Sequence, residues 1–376
     1  MGRRANGEGS IYQRQDRRWA ASLSLGNGKR QHFLGHSWDE VRTKLLVAQN
    51  AKLNGLPPAP EKQTVRQFLL HWLEATGPTR KPRTNIRYEE LVRLHVMPHI
   101  GSTLLQKLTP QQMQGLYTDL LRKGLSAATV GQVHAILHRA FKQAVGWTLM
   151  YRNPTDYAQR PRVVRKETPV LSPSQVKAFL EAAKGARFEA LFFLAVTTGM
   201  REGELLGLRW QDVDLDGGVI LIRHTLQRIN GTFQLSEPKS AKSRRVIALA
   251  PSAINALRRH RAAQIEERLW VGPHWEDNDF VFTNGLGRPV EVTNLTQRHF
   301  RPLLKGAGLP VVRFHDLRHT AATLMLSARV DVKVVSEMLG HSQASFTMDR
   351  YQHVGLDLQK RAGLALERTL AGSSVT

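Results

Sequence analysis

Three observations predict a mainly helical chain carrying small antiparallel sheets, an α+β pattern. Between residue 62 and about 158, apolar side chains recur at helical spacing. Two other regions, 9–35 and 219–249, instead alternate short strand-like runs with turn residues. Glycine and proline breakers cut both kinds of run to ordinary element lengths.

At 376 residues the chain exceeds one comfortable core and suggests two or three domains. A hydrophobic content of 41% with 23% charged residues is that of a soluble globular protein. Net charge is +23, from 54 Lys and Arg against 31 Asp and Glu. So large a surplus favours a polyanionic partner, although a merely basic protein of ribosomal type shares it. The absence of cysteine excludes disulfides, thiolate zinc sites and a cysteine nucleophile together. No apolar run reaches membrane-spanning length, and the amino terminus lacks the apolar core of a signal peptide. The expectation is an intracellular protein facing nucleic acid, cytoplasmic and nucleoid-associated, with no membrane contact.

The first expected domain is 1–60. Ser10–Arg14, Arg18–Leu23 and Arg30–Leu34 read as a three-stranded meander, with a turn at Gly26-Asn27-Gly28. Ser37 and Glu40 have capping-box spacing and open a helix. This module holds ten Lys or Arg against four acids. Pro57-Pro58-Ala59-Pro60 is a stiff spacer that closes it.

The second expected domain, 61–160, is helical. Val65, Phe68, Leu69, Trp72 and Leu73 follow helical spacing, as do Leu91, Leu94 and Val96, then Val130, Val133, Ile136, Leu137, Phe141 and Val145. The breakers are Gly77-Pro78, Pro98 with Gly101, Gly124 and Asn153-Pro154. The basic loop Thr79-Arg80-Lys81-Pro82-Arg83-Thr84 is placed to meet phosphate. A basic linker, Arg160 to Lys166, follows.

The third expected domain is 167–376. Ser172, Pro173 and Gln175 start a helix as N-cap, first residue and box partner. Leu191 to Thr198 is an apolar helix ending in Gly199, and Arg201 follows directly. Glu204, one turn on, orients that arginine. Val219–Ile222, Thr232–Leu235 and Arg245–Leu249 read as one three-stranded sheet, with a turn at Asn230-Gly231. Between its last two strands lies Pro238-Lys239-Ser240-Ala241-Lys242-Ser243-Arg244-Arg245. Further on stand Arg313-Phe314-His315-Asp316-Leu317-Arg318-His319-Thr320, then Leu339-Gly340-His341, then Tyr351 ten residues after His341. A guanidinium clamps an oxyanion through parallel hydrogen bonds and keeps its charge. An imidazole moves protons, and a phenol serves as a nucleophile that forms a phosphoester without water or metal.

In this order the signatures resemble the tyrosine recombinase (phage integrase) family: Thr-Gly-x-Arg-x-x-Glu at Arg201, Pro-Lys-Thr/Ser-x-x-Ser-x-Arg at Lys239, His-x-x-Arg at His315 and Arg318, Leu-Gly-His at His341, and the tyrosine at Tyr351. The likeness is closest over about 168–355. Ser240 stands where threonine is usual, and Lys242 is a nearby competitor to Lys239. The resemblance implies an N-terminal arm-type DNA-binding module, a helical core-binding (SAM-like) domain and a mixed catalytic domain of the DNA breaking-rejoining type. It implies catalytic roles for Arg201, Lys239, His315, Arg318, His341 and Tyr351. It also implies double-stranded attachment-site DNA as partner and a homotetramer on that DNA, with an excisionase or host DNA-bending protein as accessory. No cofactor and no metal is expected.

Other readings are a type IB topoisomerase-like enzyme and a catalytically silent DNA-binding relic. The metal reading rests on His315 and His319, four apart on one helical face, with Asp316 replacing the glutamate of His-Glu-x-x-His. Against it, Arg318 sets a positive charge beside any cation, and His319 is expected to pack or cap within the helix. The carboxy-terminal run Val354 to Leu370 is amphipathic, suited either to a neighbouring protomer or to its own core.

Overall fold

The computed structural model describes residues 9–26, 29–53, 63–164, 169–237 and 244–340. The chain divides into two compact units, Met1–Arg165 and Lys166–Thr376.

The first unit opens with strands β1 (Ser10–Gln13), β2 (Trp19–Gly26) and β3 (Lys29–Gly35), an antiparallel meander in which Ala21 lies opposite both Ile11 and Phe33. Helix α1 (Trp38–Leu53) packs against it, burying Ala21, Leu23, Val41, Leu45 and Ala48 in a small core. The expected capping box at Ser37 forms only in half. Ser37 Oγ accepts from the Glu40 amide at 3.2 Å, but the Glu40 carboxylate reaches past Ser37 to the His36 amide at 2.8 Å. Lys44, bonded to Glu40 and to the Leu34 carbonyl, draws that carboxylate back toward the end of β3.

Helices α2 (Val65–Thr76), α3 (Pro82–Leu91), α4 (Met97–Ile100), α5 (Pro110–Arg122) and α6 (Ala127–Gly146) share a separate core. All five residues expected inside α2 are buried there. One expectation fails. Pro98 does not break the helix: α3 runs through a wide π-turn, Val92–Val96, into α4, and Pro98 sits in the first turn of α4, where its missing N–H is tolerated. That turn rephases the helix, so Leu94 is 55% exposed while Val92 is buried. The basic loop also divides. Arg80 turns inward, stacking between Trp72 and Tyr88 and bonding Asn85 Oδ1 at 2.7 Å and the Leu73 carbonyl at 3.0 Å, whereas Lys81 and Arg83 stay exposed.

In the second unit, α7 (Pro173–Ala182) starts with the expected reciprocal box between Ser172 and Gln175. Helix α8 (Glu189–Thr198) is apolar on nearly every side and therefore central. Around it Phe179, Phe192, Phe300 and Phe314 make edge and tilted contacts, with Phe300 and Phe314 centroids 5.4 Å apart. Each such buried ring contributes about 1.5–3 kcal/mol. After α9 (Glu202–Leu206) come β4 (Val213–Asp214), β5 (Val219–Ile222), β6 (Thr225–Ile229), β7 (Thr232–Ser236) and β8 (Arg245–Ala248).

The expected single sheet is in fact two. One has order β4-β5-β8, and the other is the β6-β7 hairpin. Strand β5 is paired on both edges, by β4 and β8, so the hairpin cannot join it there. The hairpin turns at Asn230 and Gly231, both with positive φ, and lies on α9 instead. A Cβ on Gly207 would come within 2.8 Å of the Leu226 amide, so that close approach requires glycine.

Helices α10 (Pro251–Val271), α11 (Val292–Asn294), α12 (Arg301–Gly306), α13 (Asp316–Ser327) and α14 (Val332–Leu339) follow among the described residues of the unit. No helix among the described residues is long and apolar enough to cross a membrane.

Candidate active site

The site gathers at the carboxy-terminal end of α14. A helix end leaves its last carbonyls without intrahelical partners and carries partial negative charge. Three guanidinium groups supply what is missing. Arg245 Nε donates to the Met338 carbonyl at 2.5 Å, Arg318 Nη2 to that of Leu339 at 2.6 Å, and Arg201 Nη2 to that of Gly340 at 2.9 Å.

Arg318 lies in the first turn of α13 and is 4% exposed. Its other arm, Nη1, bonds the Gly199 carbonyl at 2.8 Å. Gly199 has φ +63, and a Cβ there would meet Leu339 Cδ2 at 2.5 Å, so glycine is needed both for the turn and for the contact with α14. The turn delivers the chain to Arg201, the extended residue ahead of α9. The Glu204 carboxylate accepts from the Arg201 amide at 3.0 Å and from Arg201 Nη1 at 2.7 Å, the orienting contact expected from their spacing. The Arg201 side chain remains 36% exposed.

Glu204 is 3% exposed and is held from its other side by Arg245, at 2.8 and 3.2 Å. Burial pushes its pKa up, but the hydrogen bond and charge of Arg245 and the charge of Arg201 outweigh this and hold it below the ordinary carboxylate value. Glu204 is thus an ionised anchor. The sequence places Arg245 both at the end of the Pro-Lys-Thr/Ser-x-x-Ser-x-Arg signature and at the start of a strand, and assigns it no role in the site. The signal lies in strand parity: it shares a face with fully buried Ile247, while Val246 points outward and is 61% exposed.

His315 immediately precedes α13, so it and Arg318 flank the helix start. Burial of its ring, then the charge of Arg318, push its pKa below the ordinary histidine value, with smaller contributions from Arg313 and Arg201 and opposition from Asp316. The imidazole is therefore neutral near pH 7 and able to accept a proton. His319 is buried and meets the His315 ring edge to face, centroids 5.5 Å apart. Asp316 is 1% exposed and turns its carboxylate to the Arg313 amide, Nε and Nη2 at 2.9, 3.0 and 2.8 Å. It braces the helix start through Arg313. Among the described residues no group of three His, Asp or Glu could hold a metal.

Lys239 and Lys242, in 238–243, lie outside the described residues, as do His341, Tyr351 and the run Val354 to Leu370, in 341–376. Their attachment points are described. Glu237 and Arg244, which flank the lysine segment, form an ion pair, and Gly340 directly precedes His341. The described cluster thus brings together Arg201, His315 and Arg318 and adds Glu204 and Arg245.

Residues 169–356 match the profile of the phage integrase family, and residues 64–121 match that of the phage integrase N-terminal SAM-like domain. A tyrosine recombinase XerC-like protein of Caldanaerobacter subterraneus subsp. tengcongensis is 31% identical over 350 residues, covering 87% of this chain and 89% of the relative. An integrase of Streptomyces ambofaciens is 30% identical, covering 93% of each chain. Among solved structures, the Tn1549 transposon integrase in complex with transposon right end DNA is similar with a TM-score of 0.70 at 25% identity, over 81% of this chain and all of that one. A lambda integrase dimer bound to a core site shares the fold, with a TM-score of 0.58 at 18% identity, over 94% of this chain and 98% of that one. The chain belongs to the phage integrase family and is a tyrosine-type site-specific recombinase.

Proposed function

We propose that the protein integrates or excises a phage or mobile element by cutting and rejoining double-stranded attachment-site DNA through a 3′-phosphotyrosyl link. One observation carries this reading: Arg201 and Arg318 hang from adjacent carbonyls, those of Gly340 and Leu339, which sets two permanent cations side by side. Such a pair suits the non-bridging oxygens of a scissile phosphate, where charge gathers in the transition state. His341 adds a hydrogen bond to the same group. The Tyr351 oxygen attacks phosphorus, its proton passing to neutral His315. The bond to the 5′-oxygen breaks as Lys239 gives that oxygen a proton. The link keeps the phosphodiester's energy, so rejoining needs no ATP, and the steps use side chains alone.

Exchange between two duplexes breaks four strands, and each protomer brings one Tyr351, so four protomers act together. Module 1–60 binds arm-type sites, 61–160 the core site, and 167–376 performs catalysis, in the cytoplasm on nucleoid DNA. An excisionase or host bending protein sets direction. That the relatives are recombinases and integrases supports strand exchange over simple relaxation by a type IB enzyme.

The test is Tyr351→Phe on a nicked suicide duplex built from the junction sequences flanking the element. The variant binds the duplex normally and forms no detergent-stable adduct. A persistent adduct would show that another residue is the nucleophile.

A further inference from the structure

We infer that Arg245 is a positioning residue of this active centre: by gripping Glu204 and the end of α14 at once, it sets where Arg201 presents its guanidinium. The inference rests on the reading above.

Among the described residues Arg245 donates to both Glu204 oxygens, at 2.8 and 3.2 Å, and to the Met338 carbonyl at 2.5 Å. Only a planar fork with several fixed donors can do this, and a lysine ammonium cannot span them. Its side chain is 7% exposed and that of Glu204 3%, so this pair is buried, unlike the half-open pair of Glu204 with Arg201. A buried carboxylate left with one partly hydrated cation is costly, and it either protonates or draws that cation tightly onto itself. In either event Arg201 is repositioned relative to the phosphate.

Two further features fit this role. Gly340 has φ +65, and a Cβ there would come within 2.9 Å of Arg245 Nη1, so the chain ahead of His341 lies directly against this guanidinium. Arg245 also opens β8, just after the segment that carries Lys239. One side chain therefore ties together the exit of the lysine segment, the anchor of Arg201 and the helix end from which His341 follows.

The test compares full-length wild type, Arg245→Met, Arg245→Lys and the doubly neutral Glu204→Gln/Arg245→Met on the same nicked duplex, measuring single-turnover adduct formation, duplex affinity and thermal melting. Arg245→Met is expected to slow adduct formation about 100-fold while affinity changes less than about 3-fold, the split of a residue acting on the transition state. The acid limb of its pH–rate profile should move upward, because Glu204 keeps only Arg201 as partner and its protonation adds, at higher pH, to the loss that His315 sets. Arg245→Lys should return that limb toward wild type without restoring the rate. The doubly neutral variant covers the event that Arg245→Met alone fails to fold, and it should fold yet still cleave slowly. Adduct formation within about 3-fold of wild type in either Met variant overturns the inference and leaves the recombinase reading standing. Failure of the wild type itself to form an adduct overturns that reading instead.

Discussion

Arg201 Nη2 donates to the carbonyl oxygen of Gly340 at 2.9 Å, joining positions 139 residues apart in the chain. The contact is made to the residue that directly precedes His341 in the chain, and Glu204 takes the other arm of the guanidinium. The helix end that these arginines satisfy therefore also orients them.

Arg201 and Arg318 should separate when each is replaced by lysine. Both variants lose about 100- to 1,000-fold in adduct formation, as expected when a fixed donor to a developing oxyanion is removed. Arg318→Lys also abandons the buried Gly199 and Leu339 carbonyls, at a cost of about 1–3 kcal/mol for each unsatisfied group, and should melt several degrees lower. Arg201, with a side chain 36% exposed, should leave the melting temperature nearly unchanged. Equal thermal losses would mean that the two arginines are equally structural.

The pH dependence of cleavage follows from His315. Its folded pKa lies below the ordinary histidine value, so the neutral base persists through pH 7 and is lost only as pH falls through the lowered value. Adduct formation should hold near neutrality and fall on the acid side, and His315→Gln should remove that limb. A limb unchanged in His315→Gln would assign the base elsewhere.

Lys239 is tested through the leaving group. An alkoxide departs poorly without a proton, whereas a thiolate needs none. Lys239→Ala should cleave an ordinary phosphodiester very slowly and recover on a substrate with sulfur at the 5′-bridging position. Lys242→Ala should lose mainly phosphate affinity. Rescue of Lys242→Ala by sulfur, with none for Lys239→Ala, would move the acid to Lys242.

Deleting residues 1–60 should preserve cleavage at the core site and weaken binding to more distant sites. The removed module holds ten Lys or Arg against four acids. Full-length binding should also fall steeply with salt, since each neutralised phosphate releases counterions. Identical footprints for the two proteins would remove the arm-binding assignment.

The readings that held in the sequence depend on residues within about one helical turn of each other. Ser172, Pro173 and Gln175 start α7 as their spacing requires, and Gly199 ends α8 with positive φ. Glu204 meets Arg201 because they lie three apart at a helix start. The meander of β1 to β3 was legible from alternation and turns alone.

Tertiary structure decided the rest. Pro98 continues a helix because a π-turn ahead of it absorbs the conflict, and the same turn exposes Leu94. Strands β6 and β7 do not join β5 because it already has partners on both edges. Arg80 turns inward because Trp72 and Tyr88 stack on its guanidinium. Arg245 points inward to a carboxylate 41 residues before it and a carbonyl 93 residues after it. Backbone preferences act locally and can be read along the chain, but the burial of a charge is settled only by the partners that folding brings to it.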